Sequence, residues 1–142
     1  MTQDELIALA KQTAQRHGLA PEIVCAVCEQ ESSWNPWAIR YEPAFRQRYV
    51  APLGLPPTEE VARSISWGLM QLMGETAREA GFSGKFLSAL ADPSVGLEFG
   101  CAVLAEKFRR ADGDASRALE LWNGGANPDY AAQVLARVSK YR

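Results

Sequence analysis

The 142-residue chain has one histidine, His17. A zinc site built from two or more imidazoles is therefore excluded, and with it the usual metal-dependent amidases and peptidases. No apolar run approaches the roughly 20 residues that cross a bilayer. The N-terminal MTQDELIALAKQ is charged and amphipathic rather than signal-like, so the expectation is synthesis in the cytoplasm without a signal peptide and no membrane insertion. Neither sign of charge is in excess. With 15 Lys and Arg against 17 Asp and Glu, no broad field attracts nucleic acid or anionic lipid, and a partner must be recognised at a local site. Three cysteines cannot all pair internally, and Cys25 and Cys28 fall within an apolar helical pattern, where they read as reduced structural thiols. His17 precedes Gly18 at a helix C-terminus, where an imidazole beside the last carbonyls is ordinary capping chemistry, and no nucleophile motif accompanies it. Internal repeats, low-complexity tracts and alternating strand patterns are absent.

What the chain does contain is helical punctuation. Its length and 47% hydrophobic content suit one domain over residues 1–142. Thr2 can cap a first helix, with Asp4 and Glu5 in its first turn, that ends at His17-Gly18. Pro21 fits the first turn of a second, in which Val24, Val27, Cys28 and Glu31 fall at i, i+3, i+4 and i+7 and which Asn35-Pro36 stops. Residues 40–66, rich in proline and carrying Tyr41, Phe45 and Tyr49 on a possible short helix, read as an insertion or lid; Thr58 opens a helical stretch through Val61. Gly81 is a helix stop. Asp92-Pro93 starts a long helix with a Leu97, Cys101, Leu104, Phe108 stripe, the candidate central helix. Asp114 caps a helix ending at Asn123-Gly124-Gly125, and Asn127-Pro128 starts the last, with Ala131, Val134, Leu135, Val138 and Tyr141 on one face.

Glu31 departs from this pattern, since it puts a carboxyl group where the Val24, Val27, Cys28 face calls for another apolar side chain. Desolvation and the negative end of the helix dipole would both raise its pKa, and a carboxylic acid protonated near neutral pH is what general acid catalysis needs. Periodicity alone leaves open that Glu31 turns outward at a frayed end, as solvated as Glu29.

Several motifs in order carry a family resemblance. Glu31-Ser32-Ser33-Trp34-Asn35-Pro36 resembles the E-S-x-F-N-P of soluble lytic transglycosylases, whose catalytic acid is the first residue. Gly68-Leu69-Met70-Gln71-Leu72-Met73 matches their G-L-M-Q-L-M, followed by Thr76-Ala77. Asp92-Pro93 and Gly100 to Leu104 resemble D-P-x-x-N-I and its helix, with Val95-Gly96 in place of Asn-Ile. Leu121-Trp122-Asn123-Gly124-Gly125 resembles A-Y-N-A-G, and Tyr130 with Val134 resembles Y-x-x-x-V. Four short motifs in sequence are far more specific than one. Three departures stand out: Trp122 replaces the tyrosine that in relatives lies close to the catalytic carboxyl, Gly74 replaces a common proline, and the 40–66 segment is longer than the family's minimum. Either Ser64 or Ser66 corresponds to the family's active-site serine.

The resemblance implies a mainly helical, all-α lysozyme-like domain with a central helix, an active-site cleft and little or no strand. It also implies cleavage of peptidoglycan between N-acetylmuramic acid and N-acetylglucosamine, without metal or cofactor, by a monomer. Glu31 would be the single acid and base, Ser32, Ser66, Gln71, Met73, Trp122, Asn123 and Tyr130 would contact the substrate, and Asn123 would bond an acetamido group or orient Glu31. Trp34, Trp37 and Trp67 are candidates for sugar stacking or for the core. Most glycosidases use two carboxyl groups. Should Glu42 or Glu60 hold a water, the product would be that of a hydrolytic lysozyme, and a silent glycan-binding or assembly module is the third reading. A wall-directed protein without an export signal fits a bacteriophage lysis or virion enzyme, or one delivered by a secretion machine.

Overall fold

In the computed structural model, which describes residues 1–142, Thr2 opens α1 (Gln3–Arg16) with a reciprocal capping box. Glu5 N–H donates to the Thr2 hydroxyl at 3.1 Å, and Thr2 N–H to the Glu5 carboxylate at 3.3 Å. Leu6, Ala10, Thr13 and Ala14 are its buried stripe. His17 caps the helix end, but its ring turns to Glu98, with Nε2 2.8 Å from Oε1, rather than to the last carbonyls.

Pro21 begins α2 (Pro21–Ser32), in which five consecutive residues, Val24 to Cys28, are buried. Such a helix is enclosed on all sides rather than amphipathic. It packs on α1, on α8 (Tyr130–Leu135) and on a closing 3-10 turn (Val138–Tyr141). All three cysteines are buried here or on the neighbouring long helix, as core packing requires. That helix is α6 (Pro93–Arg110); Asp92 accepts from Ser94 N–H at 2.9 Å, and Leu97, Cys101 and Leu104 are fully buried. Asp114 likewise caps α7 (Ala115–Asn123), which Gly124 ends in the left-handed conformation.

Three short strands add a small sheet that the sequence pattern does not show. β1 (Ile39–Tyr41), β2 (Ile65–Trp67) and β3 (Leu72–Met73) pair antiparallel in that order. Two or three residues are too few to display a period of two. Residues 40–66 fold as a compact excursion between β1 and β2. α3 (Pro43–Phe45) runs through a π-helical turn and a 3-10 turn to Leu53, and α4 (Pro57–Arg63) follows. Tyr41 lies on β1 rather than on a helix with Phe45 and Tyr49, whose rings pack 5.0 Å apart.

α5 (Gly74–Glu79) starts tightly against α4: a Cβ on Gly74 would sit 2.4 Å from the Ala62 carbonyl oxygen. Arg63 Cα would lie 2.8 Å from the same Cβ, so only glycine fits here without a shift of backbone. α5 ends before Gly81, as expected.

The core has two parts. The larger gathers α1, α2, α6 and α8; the smaller comprises Leu72, Ala77, Phe82, Leu87, Leu90 and Val103, and Trp122 packs on both. Two expectations shift. α2 is stopped by the left-handed turn at Ser33 and Trp34, ahead of Asn35-Pro36, and Leu135 points outward, 38% exposed. Leu135 is the last residue of α8, which gives way to the 3-10 turn that carries buried Val138 and Tyr141.

Candidate active site

Glu31 lies in the last turn of α2, where the backbone turns sharply. Ser33 (φ 50°), Trp34 (φ 63°) and, across from them, Gln71 (φ 52°) are non-glycine residues in the left-handed region. Such conformations persist only when surroundings over-determine them, and they cluster at functional sites. Here the determinants are explicit. Ser32 Oγ donates toward the carbonyls of Cys28 (3.0 Å) and Leu69 (2.8 Å), tying α2 to the loop before β3. Trp34 is buried, its indole N–H donating to Tyr141 at 3.0 Å. Gln71 Nε2 donates to the carbonyls of Ala38 and Gly68, both at 2.9 Å. Gly68 has φ 72° and approaches Leu90 so closely that a Cβ would lie 2.7 Å from its carbonyl oxygen. Ser32 and Gln71 thus hold the backbone of the site with the groups the sequence reading assigned to substrate.

Two side chains converge on the Glu31 carboxyl. Tyr130 O–H donates to Oε2 at 2.6 Å, and Trp122 N–H approaches the same oxygen at 3.4 Å. Oε1 has no protein partner. The indole at position 122, fixed between the two core clusters, stands where relatives carry a tyrosine, and Tyr130 supplies the phenol. Burial raises the Glu31 pKa above 4.5, outweighing the bonds from Tyr130 and Trp122 and the positive charge of Arg40, which lower it. Burial, reinforced by Glu31, pushes the Tyr130 phenol up, so it remains a donor.

Glu29, two residues away, is the opposite case. Partial burial works against its charge, but Tyr141, Lys140 and Arg137 bond to it and hold its pKa at about 2. It is an ion-paired strut rather than a freely solvated neighbour.

The sheet forms another side of the site. Arg40, Ser66 and Met73 are direct cross-strand partners and share one face, since opposed residues in antiparallel strands point the same way. Trp67 and Leu72 occupy the other face and belong to the smaller core. Ser64 is fully buried and donates to the Glu60 carbonyl at 2.9 Å, which leaves Ser66 as the accessible serine. Asn123 Nδ2 donates to the Asn127 carbonyl at 3.3 Å and closes the turn after α7; it makes no bond to Glu31. Glu42 pairs with Arg40 Nε at 2.9 Å and Glu60 with Arg46 Nε at 2.6 Å, so both loop acids are engaged by guanidinium groups. Of the three tryptophans proposed for stacking or core, Trp34 is buried and Trp67 bonds the Ala62 carbonyl, while Trp37 is 79% exposed. Surface recesses along α1 and beside His17 lie apart from this constellation.

Residues 8–139 of the chain are matched by a family model described as transglycosylase SLT domain. The chain belongs to this family. Membership brings lytic transglycosylase activity on peptidoglycan, and the mainly helical lysozyme-like architecture agrees with it. No solved structure matches the chain. Sequence reasoning on this transglycosylase domain passed over Arg40. A lone arginine in a three-residue strand carries no signal of its own.

Proposed function

We propose that this transglycosylase domain cleaves the β-1,4 bond between N-acetylmuramic acid and N-acetylglucosamine with Glu31 as its one acid and base, leaving 1,6-anhydromuramoyl ends. The observation that carries the reading is the two-sided environment of Glu31: Oε2 is held by Tyr130 and Trp122, Oε1 is unbonded, and burial favours the protonated form.

From that state Glu31 gives its proton to the glycosidic oxygen as the bond to the muramoyl C1 breaks and the electron pair leaves with oxygen. The carboxylate so formed is stabilised by its two donors, Tyr130 and Trp122. It then takes the proton of the muramoyl C6 hydroxyl, whose oxygen closes on C1. Glu31 is restored, and no water, metal or second acid enters the balance. Met73 and Ser66 on the sheet face, with Trp122 and Tyr130, would line the bound sugars. Gln71, Ser32 and Asn123 would act mainly by fixing the backbone around them, and exposed Trp37 is the indole free to stack on a further sugar ring.

Mass spectrometry of digested peptidoglycan tests the product: anhydro ends, lighter by one water than hydrolysed ends, are expected. Reducing muramic acid as the sole product would overturn the single-acid mechanism and turn attention to Glu42, which lies on the guanidinium that Glu31 senses.

A further inference from the structure

We propose that Arg40 and Ser66 form a subsite for a carboxylate carried by the muramoyl residue, so that the domain distinguishes acidic glycan strands from neutral ones of similar backbone; this rests on the peptidoglycan reading above. Arg40 is 76% exposed, and its side chain makes only an ion pair, Nε to Glu42 Oε1 at 2.9 Å. Both terminal nitrogens are therefore unpartnered. That fork is the group best matched to a second carboxylate. Ser66, its direct cross-strand neighbour, presents a hydroxyl with no protein partner on the same face, a spacing of about 5 Å in such pairs.

The placement has no structural explanation. An exposed pair such as Arg40–Glu42 contributes little to stability. The cation also lowers the pKa of Glu31, opposing the protonated state that acid catalysis needs. An anion bound at Arg40 removes that conflict by neutralising the charge when substrate arrives. Peptidoglycan supplies such anions on the muramoyl unit, as the lactyl carboxylate on strands without peptide and as stem-peptide carboxylates on substituted strands. Chitin oligomers supply none.

Binding is measured by calorimetry in the Glu31→Gln protein, which prevents turnover, with three ligands: chitin oligomers, peptide-free glycan strands and peptide-bearing strands. Arg40→Gln is expected to weaken binding of at least one acidic ligand roughly tenfold while leaving chitin oligomers unchanged, the loss expected for a charge-assisted hydrogen bond. The affected strand type identifies the carboxylate. Ser66→Ala should give a smaller loss with the same selectivity. Equal weakening toward neutral and acidic ligands, or none toward the acidic ones, overturns the subsite. Should the Glu31→Gln protein bind no glycan at all, the functional reading falls with it; chitin binding with no Arg40 effect removes the subsite alone.

Discussion

Glu31 and Glu29 are the same residue type two positions apart, and their partners drive them in opposite directions. Burial raises the first, and three donors hold the second at about 2. An acid whose folded pKa lies above its ordinary 4.5 is penalised on ionising, so its contribution to stability worsens as pH rises from 4.5 through the raised value. Glu31→Gln is therefore expected to abolish clearing of purified cell walls while melting at pH 7 no lower than the parent; clearing by the variant would remove Glu31 from the chemistry. Tyr130 lowers the Glu31 pKa by its bond, so Tyr130→Phe should move the alkaline limb of the pH–rate profile to higher pH. The lost donor should also reduce kcat/KM roughly tenfold. An unmoved limb would mean that Tyr130 does not act on the acid.

At the scale of elements, the site depends on two fastenings. The first joins α2 to the closing turn, where Glu29 meets Arg137, Lys140 and Tyr141, with Trp34 on the same phenol. Because the Glu29 pKa is depressed, its stabilisation is present above 4.5 and is lost as pH falls toward about 2. Glu29→Gln should lower the melting temperature at pH 7 and flatten the acid dependence between those values, which thermal melts at stepped pH will register. The second fastening is α5 against α4 at Gly74, where a Cβ would meet backbone at 2.4 Å. Gly74→Ala is expected to cost about 1–3 kcal/mol in denaturant unfolding, as overpacking against backbone does. A neutral result would show that the excursion can move aside.

Over the whole molecule, the two core clusters are not separable bodies. Val103 and Leu104 are adjacent on α6 yet belong to different clusters, and Trp122 bridges both. We expect one cooperative unfolding transition, with tryptophan fluorescence and circular dichroism coincident, as for a single domain. Two transitions would divide the chain. Wall-clearing activity should persist in chelator and in reductant, since the single histidine is taken by Glu98 and the three thiols are buried.

Features within one turn of helix or one short motif were legible from the amino-acid order. The Thr2, Asp92 and Asp114 caps, the stop near Gly81, the stripe of α6 and the misfit of Glu31 in α2 are local, because capping and periodicity depend on neighbours within a few residues. The sheet, the turn at Ser33 and Trp34, the partners of Glu31 and the place of Arg40 were not. Tyr130 and Trp122 reach Glu31 from 99 and 91 residues away, and the Arg40–Ser66–Met73 row exists only through strand register. The sequence by itself determined that this is a helical transglycosylase domain with one misplaced acid. Only the tertiary structure decided that the pKa of that acid is raised and which of its two oxygens is left unbonded, because desolvation and hydrogen bonding are supplied by residues distant in the chain.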